Sequence, residues 1–190
     1  MGRRCIWSGP GAPNSDEHCR PARALTCPSP PLHFGLGGAL HAAAPHRISF
    51  LAFCAANVLI DIESLVNLIR HRQPVHAFLH SYVGAALMVG ATLALFLALR
   101  EFAARFWLPN PLRWQDLTPM AVAIGAALGA FSHILFDSIM HADMRPLAPI
   151  SDANALLGLL SLAELYLLCL GLAVLGIAVL CLRRLHAGYD

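Results

Sequence analysis

Four long apolar stretches dominate the chain and leave it few ways to fold. They cover residues 48–69, 81–99, 118–140 and 155–182. Each is near or above the roughly 20 residues that a helix needs to cross a bilayer. A span must satisfy its own backbone hydrogen bonds, which favours helices over buried strands. The composition agrees. Of 190 residues, 57% are hydrophobic and only 13% are charged. A soluble helical domain needs far more polar surface than that. The expected fold is therefore all-α, a polytopic membrane helical bundle with four long transmembrane helices.

A fifth apolar piece, Leu32–Ala44, reads LHFGLGGALHAAA and stops at Pro45. As a helix it spans only about 20 Å. It is expected to form a short N-terminal half-helix, a re-entrant helix or an interfacial helix. Residues 1–31 are rich in proline and arginine and show no apolar periodicity, so they read as a poorly ordered head. They lack the apolar core of a cleavable signal peptide. Residues 32–184 form one membrane-embedded domain, and 185–190 a tail. Cys5, Cys19 and Cys27 lie in the head. Cys54, Cys169 and Cys181 lie in apolar runs and read as small buried hydrophobes. The net charge of +2 gives no reason to expect wrapping by nucleic acid. The expected surroundings are lipid, and nothing in the sequence sets an oligomeric state.

Arginines mark the connections. Residues 100–113 and the tail carry five, and the two opposite loops carry three. The positive-inside rule then puts residues 100–113 and the C-terminus in the cytoplasm.

Threading the four spans alternately brings the polar residues to one end. Asp61 and Glu63 lie toward the end of the first span. His76 and His80 lie between the first and second. His133, Asp137 and His141 close the third, and Arg145 and Asp152 follow. By the arginine count this end is extracytoplasmic. His76 and His80 are four apart and would share a helix face, as would Asn57 and Asp61. His133, Asp137 and His141 repeat every four residues as one stripe of imidazole, carboxylate, imidazole. These are ligands for zinc or another divalent metal, and the stripes could surround one ion or two. Charged groups within a span are functional by default. Glu164, inside the fourth span, could pair with a site histidine, join the metal shell or serve an interhelical network. Ser81 and Ser132 adjoin site histidines and read as packing or supporting hydroxyls. His41, His46, His71 and His186 read as packing or interface residues.

These residues carry a family likeness. The chain resembles the bacterial inner-membrane group of YdjM-like, membrane-bound metal-dependent hydrolases. The matching pieces are the His33 segment, Asp61 in NVLIDIE, HAFLHS from His76 to Ser81, and GAFSHILFDSIMHADMRPLAPIS from Gly129 to Ser151. In ligand order that group is distantly similar to the zinc-dependent phospholipase C and P1 nuclease class. The resemblance implies metal ligation by His33, Asp61, His76, His80, His133, Asp137 and His141. It also implies hydrolysis of a phosphoester or lipid-linked substrate at the membrane surface. Asp61 would bridge metal or orient water as a base, Arg145 would steady phosphate charge, and His141 would bind metal or a substrate phosphate. Glu63, Ser132, Asp152 and Glu164 are candidate supporting groups. Two other readings stand beside hydrolysis: a metal or proton transporter, and a structural membrane protein.

Overall fold

The computed structural model describes residues 33–110 and 113–187. The head with its three cysteines and the last three residues of the tail lie outside them. The described chain is all-α: α1 (Phe34–Ala43), α2 (Phe50–Ile69), α3 (Tyr82–Arg105), α4 (Pro119–Met140) and α5 (Leu162–Ala187). Single 3-10 turns, Phe78–His80 and Trp114–Asp116, precede α3 and α4. Four helices are long and apolar enough to cross a membrane, and α1 is the shorter fifth.

Local chemistry sets the helix starts. Ser49, Ser81 and Thr118 take extended backbone angles, and each side-chain oxygen accepts an N–H three residues on. Such caps satisfy backbone donors that a first turn leaves free. Pro119 follows Thr118, where a missing N–H does no harm. The fourth apolar stretch differs from expectation at its start. Residues 155–161 form turns, and the helix begins only at Leu162. There Glu164 Oε2 accepts the Ser161 N–H at 2.7 Å, and Ser161 Oγ accepts the Glu164 N–H at 3.3 Å. That reciprocal pair is a capping box, and it fixes the start of α5.

The bundle is organised around α2 and α4, which run parallel in a fixed register. Ser49 meets Gly125, Phe53 meets Gly129, and Asn57 meets His133. The backbone N–H of Ser49 also donates to the Ala121 carbonyl at 3.0 Å. Glycine is needed at the lower steps because a Cβ on Gly129 would stand 2.5 Å from the Phe53 carbonyl oxygen. Small residues permit this approach where lipid supplies no hydrophobic drive. α3 packs on the other side of α4, and α1 packs mainly along α5. Ala52, Ala56, Ile60, Val122, Ala126, Ala130 and Ile134 fill the core between them. Of the cysteines read as buried, Cys169 is so, Cys54 is partly covered, and Cys181 is exposed on α5.

A candidate metal centre

The α2–α4 register carries on upward from glycine steps to chemical ones. The next rung sets Asn57 against His133, and one turn higher Asp61 and Asp137 flank the same histidine. His133 Nε2 lies 3.2 Å from Asp61 Oδ1 and 3.2 Å from Asp137 Oδ2. His80 Nε2 approaches both carboxylates, at 3.6 and 3.8 Å. Asp61 lies about 12 Å from the nearer end of α2, at 1.5 Å per residue. α2 thus runs on past the cluster, which sits at the start of α3 and the last turns of α4.

Two groups of candidate ligands emerge. Asp61, His80, His133 and Asp137 form the first, and His76, Asp137 and His141 the second. In each, one ligand atom per residue lies within 4.8 Å of all the others. Either set can hold a divalent cation, and Asp137 belongs to both. The donor chemistry fits a metal in a specific way. Among the described residues, His133 Nε2 and His141 Nδ1 are buried nitrogens that make no hydrogen bond. Such atoms are costly unless something satisfies them.

The surrounding groups orient these ligands. Asn57 donates from Nδ2 to the Phe53 carbonyl at 2.8 Å, which turns its Oδ1 toward His133 Nδ1 at 2.9 Å. Glu63 Oε2 accepts the Leu79 N–H at 2.7 Å and stands 3.9 Å from His80 Nδ1. Ser64 and Asn67 donate to the Val75 carbonyl and lay the α2–α3 loop back over the end of α2. Burial disfavours a charge on His80, but Asp61 and Glu63 outweigh it and raise its pKa. Burial and the neighbouring His76 push the His141 imidazole down.

The spacing of the histidines works out differently from the expected helical faces. His76 and His80 do not share a helix face, because α3 begins only after the Ser81 cap. His76 lies in the loop and His80 ends the 3-10 turn. Their rings still meet edge-on, with centroids 4.8 Å apart, but each serves a different cluster. His133 and Asp137 do share one face of α4. His141 is the extended residue that caps that helix, so it leaves the stripe and stacks on His76, centroids 4.2 Å apart.

His33, just before α1, is buried against the first cluster. Its Nδ1 lies 3.3 Å from His133 Nδ1 and its Nε2 lies 3.6 Å from Asp137 Oδ1. It touches two ligands without belonging to either ligand group. Arg145 and Asp152 pair with each other at 3.2 Å on the exposed loop, outside both groups. Ser132 donates to the Gly129 carbonyl and lines an apolar groove of about 400 Å³ with Leu36, Tyr82 and Phe131. Glu164 is fully exposed and occupied with capping α5, so it does not reach a site histidine.

One residue escaped the sequence reading. Asp143 accepts the N–H groups of Val75 and His76 at 3.0 and 3.1 Å, and its Oδ1 meets His76 Nδ1 at 2.9 Å. Burial works against its charge, but these donors hold its pKa below the ordinary value. No spacing rule links residues 76 and 143, which come from different loops. Comparison with protein-family models, curated proteins and solved structures found no match.

Proposed function

We propose that the protein is a membrane-bound metal-dependent hydrolase, similar to the YdjM-like group, acting on a phosphoester or lipid-linked substrate at the extracytoplasmic surface. The observation that carries this reading is the buried His133 Nε2, held between Asp61 and Asp137 at 3.2 Å from each and making no aligned hydrogen bond among the described residues. Imidazole nitrogen and carboxylate oxygen are the donors zinc takes. A bound zinc ion supplies Lewis acidity and brings the pKa of a water to about 7. The chain's own residues divide the remaining work. Asp137, His80 and His133 are buried and hold position. Asp61 is the most open of the four, its side chain 29% exposed, and so faces an approaching water as a base. Arg145, exposed near the same end, is placed to meet phosphate charge after releasing Asp152.

A transport pathway would continue toward the other end of the bundle. Among the described residues, the buried histidines and aspartate are His33, His76, His80, His133, Asp137 and His141. All belong to or touch this one centre, which supports hydrolysis over transport.

The test is elemental analysis of the detergent-purified protein after equilibration with zinc. Wild type should carry stoichiometric metal, and His133→Ala and Asp137→Ala should lose it. A panel of phosphoesters and carboxylic esters then reads turnover. A folded wild type that takes up no ion would sink the proposal, as would full turnover by Asp137→Ala.

A further inference from the structure

An apolar groove runs from beside the histidine and aspartate cluster down the outer face of α4, and nothing in the hydrolase reading uses it. We propose that it seats one acyl chain of a bilayer phospholipid, which enters sideways from the membrane and lies with its head end at the cluster. That such a lipid is the substrate rests on the hydrolase reading; the seat itself does not.

The course of the groove follows from its walls. Leu128, Phe131, Ser132 and Leu135 share one face of α4, at helical spacing. Leu36 and Leu40 line it from α1, a turn apart. α1 descends against α4. His33 at its start touches His133 and Asp137, and beyond its far end the Ser49 N–H is held by the Ala121 carbonyl. Leu36 therefore stands a turn below His33, and Leu40 about 10 Å below it at 1.5 Å per residue. Ser132 and Leu135 lie on the ligand-bearing turns of α4, and Leu128 lies near the middle of that helix. Tyr82 forms the third wall, its ring stacked on Phe131 with centroids 6.1 Å apart.

Chemistry selects the occupant. The lining offers two polar side-chain atoms, the Tyr82 hydroxyl and Ser132 Oγ, and the second is spent on the Gly129 carbonyl at 3.2 Å. A peptide or a sugar laid here would give up its hydrogen bonds to water and regain almost none, whereas a hydrocarbon chain has none to lose. Lipid has direct access, since Phe131 and Leu135 are each 40% exposed on a helix long and apolar enough to span a bilayer. The volume of about 400 Å³ falls low in the range of ligand clefts, about 300–1,000 Å³, and suits one slender chain.

The upper mouth is bordered by apolar side chains. The Tyr82 N–H donates to the Pro146 carbonyl at 2.9 Å, which ties the third wall to the α4–α5 loop. Just beyond, Leu147 and Ile150 are 49% and 91% exposed. Such side chains beside the end of a span mark contact with the membrane surface.

The experiment places the full chain in phosphatidylethanolamine–phosphatidylglycerol vesicles. A trace of phosphatidylethanolamine carries one diazirine, either near the ester or at the chain end. After irradiation, mass spectrometry maps the adducts. The near-ester label should attach around Leu36 and Leu135, and the chain-end label around Leu40 and Leu128. Both should exceed the labelling of the outward face of α5 at Leu167 and Val174, which are plainly exposed. Ala127→Phe, which plugs the lower groove, should lose the groove adducts, keep those on α5 and take up zinc as wild type does. Leu128→Trp plugs the same level if Ala127→Phe does not stay monodisperse. Adducts spread evenly over α4 and α5, a reversed order of the two labels, or groove adducts undiminished in the plugged variant would overturn the seat. So would a second copy of the chain covering the groove, read as crosslinked dimers that exclude the lipid label. Labelling needs no cation. Groove adducts on a protein that takes up no zinc would sink the hydrolase reading and leave the seat, and zinc uptake without groove adducts would do the reverse.

Discussion

The amide of Asn57 and the imidazole of His133 face each other between α2 and α4, with Oδ1 2.9 Å from Nδ1. Because Nδ2 is committed to the Phe53 carbonyl, Oδ1 is the acceptor and the ring proton sits on Nδ1. In the neutral ring that a cation requires, the lone pair is then on Nε2, the atom aimed at Asp61 and Asp137. A helix-internal hydrogen bond thus sets the tautomer of a candidate ligand on another helix. Asn57→Leu should lower zinc affinity by about 10–100-fold. Asn57→Asp, which keeps an acceptor, should lose less. Chelator competition measures both, and equal affinities across the three proteins would remove Asn57 from the account.

Affinity should depend on pH through His80. Its pKa is raised above 6.5 because Asp61 and Glu63 outweigh burial. The protonated ring therefore stabilises the cation-free fold below pH 6.5, and that contribution is lost as pH rises through the raised value. A cation needs the same nitrogen without its proton. Zinc affinity should keep climbing above pH 6.5, with a proton released on binding below the raised value. Calorimetry in two buffers of different ionisation enthalpy reads the proton count. No release, with flat affinity, would exclude His80 as a ligand.

The α2–α4 contact should be intolerant of one methyl group. Gly129→Ala would push its Cβ against the Phe53 carbonyl and against Asn57 Nδ2, 3.0 Å away. Such overpacking costs about 1–3 kcal/mol, and here it also displaces the amide that orients His133. Gly90→Ala meets open space and should be neutral. Thermal unfolding in detergent compares the two, and zinc affinity should fall for Gly129→Ala alone.

Glu164→Gln should leave zinc stoichiometry and affinity unchanged, since its carboxylate caps α5 and faces outward. Loss of an ion in this variant would show a reach that its capping geometry denies.

The sequence could be read for the spans because a bilayer demands long apolar runs, and α2, α3, α4 and α5 fall within or across the four stretches. Asp61, His80, His133 and Asp137 stood out as ionisable groups in or beside spans that were otherwise apolar. The division of the candidate ligands into two groups, with His76 and His141 in the second, was not legible. It depends on where Ser81 starts α3 and where His141 leaves α4, and a spacing of four cannot report a helix end. Glu164 misled for the same reason. Hydrophobicity extends from residue 155, but the capping box starts the helix at Leu162. Asp143 left no trace, because its partners lie 67 and 68 residues away.

Among the described helices α1 is made first and α5 last, yet they are principal neighbours. The cation ligands from Asp61 through His141 all leave the ribosome before α5 does. His33 comes earlier still, but the short helix behind it gains its main packing surface only when the C-terminal span arrives. α1, made before the other ligand-bearing helices, would therefore dock after them. α5 belongs to neither ligand group, yet it is the closing stave: a nascent chain halted before it would hold every candidate ligand and lack the surface on which α1, the helix that follows His33, mainly packs.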